Sequence, residues 1–281
     1  YWVTINEHNV LTFKGCIEGD WPPGKKSLFA ALTMTRHMAK AHAAVYRMIH
    51  RNYALFGWQP PMVGLAQHFM IAEPSRSTSV SDRWSAKFRQ YFNNDFFLKL
   101  VTGPSHTFLR LILGTGFWKP SADFIGVNYY FREFIRSNLK SFDWRFLVGD
   151  MTRSNASEQN LESNSLDWEV YPEGIERVVR LLWKRYRIPL MITENGICTD
   201  DDDQRRRFLL NHLRHLLNCL NDQIPVLGYF YWSLLDNFEW SIGYKPKFGL
   251  IAVENDSLHR VLKPSAKVYA EICRTAQIPE N

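Results

Sequence analysis

WVTINE (residues 2–7) and PLMITE (residues 189–194) are two short runs that contain β-branched residues, and each ends in a glutamate. Such runs are typical of buried β-strands. Glu7 and Glu194 therefore stand where a strand gives way to a loop, and Gly196 marks the exit from the second run. In a parallel α/β barrel the strand ends open on one face, where the catalytic groups collect. Two carboxylates brought to that face from different strands are what the cleavage of a glycosidic bond needs.

Strand-like and helix-like segments alternate along the whole chain. The pattern predicts five strands, at residues 1–6, 62–68, 123–129, 189–193 and 225–231. Apolar residues at helical spacing predict helices at residues 27–51, 82–100, 175–186, 208–220 and 264–275. Right-handed βαβ crossovers of this kind build a parallel sheet, so the fold class is α/β. The polar stretch 131–167 predicts a functional loop or small excursion, and residues 232–262 a long loop with hairpin content.

The bulk properties of the chain exclude several classes of protein. It has 281 residues, of which 46% are hydrophobic, so it can bury a large core. The formal net charge is +6, but the basic residues are dispersed among acids, so we expect no nucleic-acid binding. The four cysteines form no CxxC pair, which predicts free thiols, no metal site and a cytoplasmic location. No run of 18 apolar residues occurs, so we expect no membrane span.

Three motifs follow one another along the chain: TINE at residues 4–7, ITENG at 192–196 and YWSLLDNFEW at 231–240. They resemble the T-x-N-E-P, I/V-T-E-N-G and W-S-L-x-D-N-F-E-W motifs of glycoside hydrolase family 1, the β-glucosidase family. NYY at 128–130 and FGL at 248–250 fit the same family. The resemblance extends from residue 1 to about residue 275.

The resemblance implies a (β/α)8 TIM barrel, of which residues 1–281 form the C-terminal part, roughly five βα units. The N-terminal three units of the family then have no counterpart here. The Gln, the Arg and the His-Trp pair that those units contribute in the family have no counterpart either. Five strands alone leave two open sheet edges, which tend to associate. We therefore expect that the three units lie outside this sequence or that another chain, such as a second copy in a homo-oligomer, supplies the missing strands.

The family pattern assigns a catalytic role to each of the two glutamates. Glu7 resembles the general acid/base, which stays protonated near neutrality and so needs a raised pKa. Glu194 resembles the nucleophile, which is ionised and attacks the anomeric carbon. Retention of configuration predicts that the two carboxyl groups lie about 5–5.5 Å apart. Repulsion at that distance helps to keep the proton on the acid.

Five further residues resemble family residues that contact the sugar or the nucleophile. Asn6 corresponds to the asparagine that holds the sugar 2-OH, and Tyr130 to the tyrosine that orients the nucleophile. Trp232 corresponds to the tryptophan beneath the glycone, the sugar that is transferred. Glu239 and Trp240 correspond to the pair that binds O4 and O6. Core packing is the alternative for each of the five, and the spacing alone does not distinguish Tyr130 from its neighbour in the chain.

Several positions bear on the substrate or depart from the family pattern. A carboxylate at Glu239 repels a 6-phosphate, which disfavours phosphorylated sugars. Trp168 stands where the family lines the entrance for the aglycone, the leaving part of the substrate. His8 replaces the family proline and either tunes the pKa of Glu7 or faces solvent, and solvent exposure is the simpler interpretation. His212 and His215 show no evident partner in the sequence, which predicts a solvated helix face.

The sequence therefore predicts a retaining β-glycosidase that hydrolyses β-linked glucosides or related β-glycosides through a covalent glycosyl-enzyme. The expected partner is a small glycoside or oligosaccharide, and we expect no metal and no organic cofactor. The alternative is a catalytically inert fragment, or a non-catalytic glycan-binding or interaction protein on the same scaffold. The lack of the first three strands and the departure at His8 favour the alternative, whereas intact Glu7, Glu194 and Glu239 oppose it.

Overall fold

A parallel sheet forms the centre of the molecule. The computed structural model describes residues 1–103, 120–138, 150–152, 161–254 and 256–279. Five parallel strands lie side by side in chain order, which confirms the five predicted strands. They are β1 (Trp2–Asn6), β2 (Val63–Pro74), β3 (Phe124–Arg136), β5 (Leu190–Asn195) and β6 (Val226–Tyr231). A short strand, β4 (Asp150–Thr152), pairs antiparallel with the end of β3.

Helices follow the strands, and several of them contribute residues to the main hydrophobic core. They are α1 (His8–Thr12), α2 (Leu28–Leu55), α3 (Val80–Gln90), α4 (Phe96–Thr102), α5 (Glu173–Tyr186), α6 (Asp202–Asn221) and α7 (Pro264–Thr275). Two of the long helices begin at a capping side chain: Ser27 Oγ accepts from the Ala30 amide at 3.3 Å, and Asp201 Oδ1 from the Asp203 amide at 2.9 Å. Such caps satisfy amides that have no partner within the helix.

The main hydrophobic core lies between the sheet and these helices. Strand residues such as Leu65, Ile125 and Ile192 are fully buried, and α5 contributes Ile175 and Leu182 to the same cluster. Burial of apolar surface on this scale is the dominant favourable term in folding. The core therefore fixes the strands relative to one another, and with them the residues at the carboxyl ends of the strands.

The strands lose their regular register towards their carboxyl ends. On β5, two steps from Ile192 to Glu194 match one step on β3 from Val127 to Asn128, so Thr193 is an extra residue. Similar shifts occur between β1 and β2, between β2 and β3, and between β5 and β6. Such β-bulges re-aim side chains and are frequent next to active sites.

β1 and β6 are the two edges of the described sheet. The side chains of Trp2 and Val3 on β1 are 47% and 46% exposed, and Phe230 on β6 is 57% exposed. The described residues therefore form an open part of a barrel, with apolar side chains at both edges.

Two segments differ from the sequence-based expectation. The helix predicted at residues 82–100 is α3 and α4 with a π-helical stretch, Tyr91–Asp95, between them. The side-chain amide of Gln67 donates to the carbonyl oxygens of Asn93 and Asn94 at 2.8 and 2.9 Å, so a tertiary contact occupies these helix carbonyls.

In addition, β3 continues to Arg136, into the region predicted as a loop. The rest of that region, except residues 137–138, 150–152 and 161–167, lies outside the described residues.

The predicted hairpin in residues 232–262 is present and consists of β7 (Ile251–Val253) and β8 (Arg260–Leu262). It follows a single turn of 3-10 helix, Trp240–Ile242.

The predicted solvated face at His212 and His215 is wrong. His212 is fully buried, stacks on Phe208 and has Nδ1 2.8 Å from the Phe208 carbonyl oxygen. His215 Nδ1 lies 2.8 Å from Glu176 Oε2, because α6 packs against α5. A histidine on a helix that packs on two neighbours cannot be assigned to solvent from its own helix alone.

Gly174, in the first turn of α5, lies where this helix approaches the sheet closely. A Cβ at Gly174 would lie 1.8 Å from the hydroxyl oxygen of Tyr129, which donates to the Tyr171 carbonyl at 2.8 Å. We expect Gly174→Ala to lower the free energy of unfolding by about 2 kcal/mol or more, because Tyr129 is fully buried and must move. Urea denaturation followed by circular dichroism measures this change.

The matched control is Gly228→Ala on β6, where the nearest atom to the added Cβ is 3.9 Å away. This variant should unfold within about 0.5 kcal/mol of the parent. Equal stability of the two variants would contradict the close approach at Gly174.

Candidate active site

Two carboxyl groups stand at the carboxyl ends of β1 and β5. Glu7 follows β1 directly, and Glu194 is the penultimate residue of β5. The backbone of Glu7 has φ 48° and ψ 45°, in the left-handed region that residues other than glycine seldom adopt. Strained backbone of this kind clusters at functional sites. The Glu7 amide donates to the Ala66 carbonyl at 2.9 Å, which ties this turn to β2.

The side chain of Asn128, at the end of the regular part of β3, connects the residues around these carboxyls. Its Nδ2 donates to Glu7 Oε1 at 2.9 Å and to Asn6 Oδ1 at 3.0 Å. Its Oδ1 accepts from the Thr193 hydroxyl at 2.5 Å. Asn128 is fully buried, so its amide is a fixed contact that joins Glu7, Asn6 and Thr193.

Two further donors hold the Glu194 carboxyl. The Tyr130 hydroxyl donates to Glu194 Oε2 at 2.6 Å, and Asn6 Nδ2 donates to Oε1 at 3.2 Å. Hydrogen bonds to a carboxylate favour its charged form. Of the residues predicted for the site, Asn6, Tyr130, Glu7 and Glu194 therefore belong to one hydrogen-bonded group.

The two carboxyls differ in their preference for a proton. Burial, and then the negative charge of Glu194, raise the pKa of Glu7 to about 7 against the opposing effect of the single hydrogen bond from Asn128. Burial also raises the pKa of Glu194, but hydrogen bonds from Tyr130 and Asn6 oppose that effect. The proton that the pair shares near neutrality therefore resides on Glu7, and Glu194 carries the charge. Environments that push two carboxyl pKa values apart distinguish an acid from a nucleophile.

The loop after β6 places a third carboxylate near this pair. Burial, and then the charge of Glu194, raise the pKa of Glu239, and Glu239 in turn raises the pKa of Glu7. Trp232 follows β6 directly, and its amide donates to the Asn195 carbonyl at 3.0 Å. The ring of Trp240 is 66% exposed and packs against Trp21, with centroids 5.6 Å apart.

Aromatic side chains form a wall beside Glu194. Trp168 stacks on Phe131 at a centroid distance of 4.6 Å. It also makes an edge contact with Tyr130 at 5.9 Å and a tilted contact with Phe248 at 6.1 Å. The next residue, Glu169, accepts two hydrogen bonds from the Arg132 guanidinium, at 2.6 and 2.8 Å. This paired contact fixes the loop that carries Trp168.

The sequence matches the family described as glycosyl hydrolase family 1 over residues 1–109 and 113–278. The chain belongs to this family. A β-galactosidase from Saccharolobus solfataricus is 30% identical over 289 residues, which cover 99% of this chain and 56% of that protein. A β-galactosidase from Sulfolobus acidocaldarius is 40% identical over 160 residues, which cover 57% of this chain and 33% of that protein.

A solved β-glycosidase from Pyrococcus horikoshii shares the fold of the described residues, with a TM-score of 0.84 and 32% identity. The match covers 99% of this chain and 62% of that one. A 1,4-β-D-glucan glucohydrolase from Thermotoga neapolitana is 27% identical and is covered to 63% of its length. The chain thus spans between a third and about two thirds of the length of these relatives.

His8 departs from the family 1 motif, in which proline follows the glutamate, and it does not face solvent. It is 3% exposed and stacks on Phe97 with centroids 3.6 Å apart. Burial lowers the pKa of His8 to about 3, so it is neutral at ordinary pH and adds no charge beside Glu7. His8 is therefore a packing residue at the start of α1. Its burial could not be read from the sequence because Phe97 belongs to a distant helix.

Asn128 and Thr193 are the polar side chains that the sequence motifs did not assign to the site. Both lie within stretches already recognised as family 1 motifs, NYY and ITENG. What identifies them is that they lie next to each other on the paired strands β3 and β5. That adjacency depends on the sheet order and on the bulge at Thr193.

Within the described residues, no group of three or more His, Cys, Asp or Glu side chains is placed to hold a metal ion. Likewise, none of the helices in the described part of the chain combines the length and apolar character that crossing a membrane requires.

Glu7→Gln tests whether ionisation of Glu7 lowers the free energy of unfolding. The folded-state pKa of Glu7, about 7, lies above its ordinary value of 4.5, so ionised Glu7 destabilises the fold increasingly as pH rises from 4.5 to 7. Glutamine removes the charge and keeps the acceptor for Asn128. We expect a gain in unfolding free energy of about 1 to 3 kcal/mol at pH 8 that disappears at pH 4. Thermal unfolding at the two pH values measures it.

Glu271→Gln is the control, because Glu271 is an exposed glutamate on α7 that pairs with Arg274. It should change stability by less than about 0.5 kcal/mol at either pH. A Glu7→Gln protein no more stable than the parent at pH 8 would show that Glu7 is not held in a destabilising environment.

Proposed function

We propose that this chain carries the catalytic pair of a retaining β-glycosidase that hydrolyses β-linked glucosides or related β-glycosides. The observation that supports this most is a series of hydrogen bonds that runs from Glu7 through Asn128 and Asn6 to Glu194. Glu7 has one side-chain donor in this series, whereas Glu194 has two, Asn6 and Tyr130. Membership of glycosyl hydrolase family 1 supports the same reaction class.

In the proposed reaction, Glu194 attacks the anomeric carbon while Glu7 donates its proton to the leaving glycosidic oxygen. The C–O bond to the aglycone breaks as the bond to Glu194 forms, which gives a glycosyl-enzyme. Glu7, now ionised, then takes a proton from water as that water attacks the same carbon and releases Glu194. Two inversions give a product with retained configuration.

The residues around the pair support roles in holding the sugar. Asn6 contacts Glu194 and is placed to reach the 2-OH of a sugar bound to it, and Tyr130 holds the nucleophile in one orientation. We assign Glu239 and Trp240 to O4 and O6 of the glycone and Trp232 to its underside. The wall around Trp168 fits the aglycone, because aromatic faces pack on the C–H faces of sugar rings and on apolar groups.

The charge of the site supports a neutral glycone. Three acidic side chains, Glu7, Glu194 and Glu239, interact electrostatically with one another. A 6-phosphate group on the sugar would lie next to Glu239 and be repelled. The relatives named as β-galactosidases and glucohydrolases support glucosides and galactosides equally as substrates.

We further propose that additional strands cover the edges of the sheet at β1 and β6. The half-exposed Trp2, Val3 and Phe230 support this, since exposed apolar sheet edges favour pairing. The strands come either from a longer form of this chain or from a second chain, such as another copy. The same open edges favour the alternative function, glycan binding without turnover by the chain alone.

Removal of the nucleophile tests the reaction directly. We expect Glu194→Ala to reduce hydrolysis of an aryl β-glycoside by at least about 10⁴-fold, because the glycosyl-enzyme can no longer form. Sodium azide should restore release of the aryl group and give the α-glycosyl azide, with inverted configuration. Glu7→Ala with an activated leaving group should instead give the β-glycosyl azide. Nuclear magnetic resonance of the products identifies the anomer.

Glu271→Ala is the control and should retain parental turnover. Light scattering and intact mass on the same samples identify the chain and its oligomeric state. Full turnover by Glu194→Ala would overturn the assignment. Saturable glycan binding by the parent without any turnover would favour the binding alternative.

The pKa of Glu7 predicts the pH profile. The acid must be protonated to donate, so kcat/KM should fall as pH rises above about 7, the pKa of Glu7. At low pH the rate should fall as Glu194 becomes protonated, at a pH above its ordinary pKa of 4.5 because burial raises it. Initial rates with an aryl glycoside between pH 4 and 9 measure both limbs. Persistence of the alkaline limb in Glu7→Gln would assign it to another group.

A further inference from the structure

The amide of Asn128 has two possible orientations with opposite effects on Glu7. In the observed one, Nδ2 faces Glu7 Oε1 and Asn6 Oδ1, and Oδ1 faces the Thr193 hydroxyl. An N–H donated to Glu7 favours the ionised acid. A reversed amide would present Oδ1 to Glu7 and favour the protonated acid. The orientation of this one buried group therefore bears on the proton affinity of the acid.

Thr193 is the residue placed to decide that orientation. It is the extra residue of the bulge between β3 and β5, next to Glu194. Its Cγ2 packs over Gly126, where a Cβ would lie only 2.9 Å from it, so a side chain at Gly126 would displace the methyl group. With the methyl group over Gly126, the hydroxyl points at Asn128 Oδ1, 2.5 Å away.

Asn6 supports the same orientation from the other side. Asn6 Nδ2 is used by the Glu194 carboxylate, so Asn6 Oδ1 faces Asn128 and needs a donor there. The Thr193 hydroxyl supplies the donor that Asn128 Oδ1 would otherwise lack in a fully buried position. A buried amide oxygen without a donor is costly, and loss of the donor makes the reversed orientation relatively more favourable.

We propose that Thr193 is a positioning residue, which fixes the Asn128 amide with its N–H towards Glu7 and thereby sets the proton affinity of the acid/base. The effect of Thr193 on catalysis rests on the proposed function. The effect of Thr193 on the proton affinity of the Glu7 carboxyl does not. Thr193 touches Asn128 and acts through it.

Other charged or titratable groups also face Glu7 and are not substituted in the test. They are Glu194 from β5, Glu239 from the loop after β6 and Tyr130 from β3, and His8 is the next residue of the chain. His8 is neutral and buried, and Tyr130 is protonated because burial raises its pKa well above 10. A change in the pKa of Glu7 on substitution of Thr193 therefore reports the contact with Asn128.

The experiment is a titration of the Glu7 carboxyl by ¹³C nuclear magnetic resonance in protein labelled at the glutamate carboxyl carbon. Glu7→Gln identifies its signal. Thr193→Val removes the hydroxyl and keeps the shape, and we expect it to raise the pKa of Glu7 by about one pH unit. Thr193→Ser keeps the hydroxyl and should leave the pKa within about 0.3 pH units of the parent.

Two more variants separate the loss of this hydroxyl from a loss of packing. Thr193→Ala also lacks the hydroxyl and replaces Thr193→Val if the latter does not fold. Thr102→Val removes a buried hydroxyl that donates to the Leu98 carbonyl within α4, and it should leave the titration of Glu7 unchanged. A role limited to packing would lower stability in the Thr193 variants without moving the pKa of Glu7.

The alkaline limb of kcat/KM should move up by the same amount in Thr193→Val and stay in place in Thr193→Ser. An unchanged Glu7 titration in Thr193→Val or Thr193→Ala overturns the positioning role, whatever the enzyme turns over. Absence of turnover in the parent would contradict the proposed function and leave the titration as an independent measurement of the role of Thr193.

Discussion

The series of hydrogen bonds from Glu7 through Asn128 and Asn6 to Glu194 is the constraint on which the site depends. One carboxyl follows β1 and the other lies on β5, two strands that do not pair with each other, and β3 is the strand that pairs with β5 on the side towards β1. Asn128 on β3 therefore reaches Glu7 directly and Glu194 through Asn6. Because the amide is buried, water does not compete for its hydrogen bonds. The relative position of the two carboxyl groups therefore depends on the register of β3.

The irregular strand ends explain how so many polar groups meet at one place. A regular strand sends successive side chains to opposite faces, so Thr193 and Glu194 could not both join this hydrogen-bonded group in an unbroken strand. The bulge on β5 removes that restriction. The left-handed backbone at Glu7 has the same effect on β1, since it turns the chain sharply where the strand ends. The regular parts of the strands carry the core, and the irregular ends carry the chemistry.

The sequence was sufficient for features that depend on local pattern. Apolar periodicity located the five strands and the helix at residues 264–275, and two glutamates at strand ends located the carboxyl pair. It was insufficient where distant segments decide the outcome. The interrupted helix at Tyr91–Asp95 depends on Gln67, the burial of His8 depends on Phe97, and the role of Asn128 depends on the neighbouring strands. None of these contacts leaves a local pattern.

The site also shows why its carboxyls need the rest of the fold. Burial raises the pKa values of Glu7, Glu194 and Glu239, and the charge of Glu194 adds to this at Glu7 and Glu239, so ionisation of the group opposes folding near neutrality. The apolar core beneath the sheet and the fixed contacts of Asn128 and Tyr130 offset that cost. Without them, separation of the carboxyls would relieve the repulsion and lower the pKa of Glu7 towards its ordinary value. Glu7 would then lose the proton that a general acid must hold at neutral pH, so the core sustains the chemistry as well as the shape of the site.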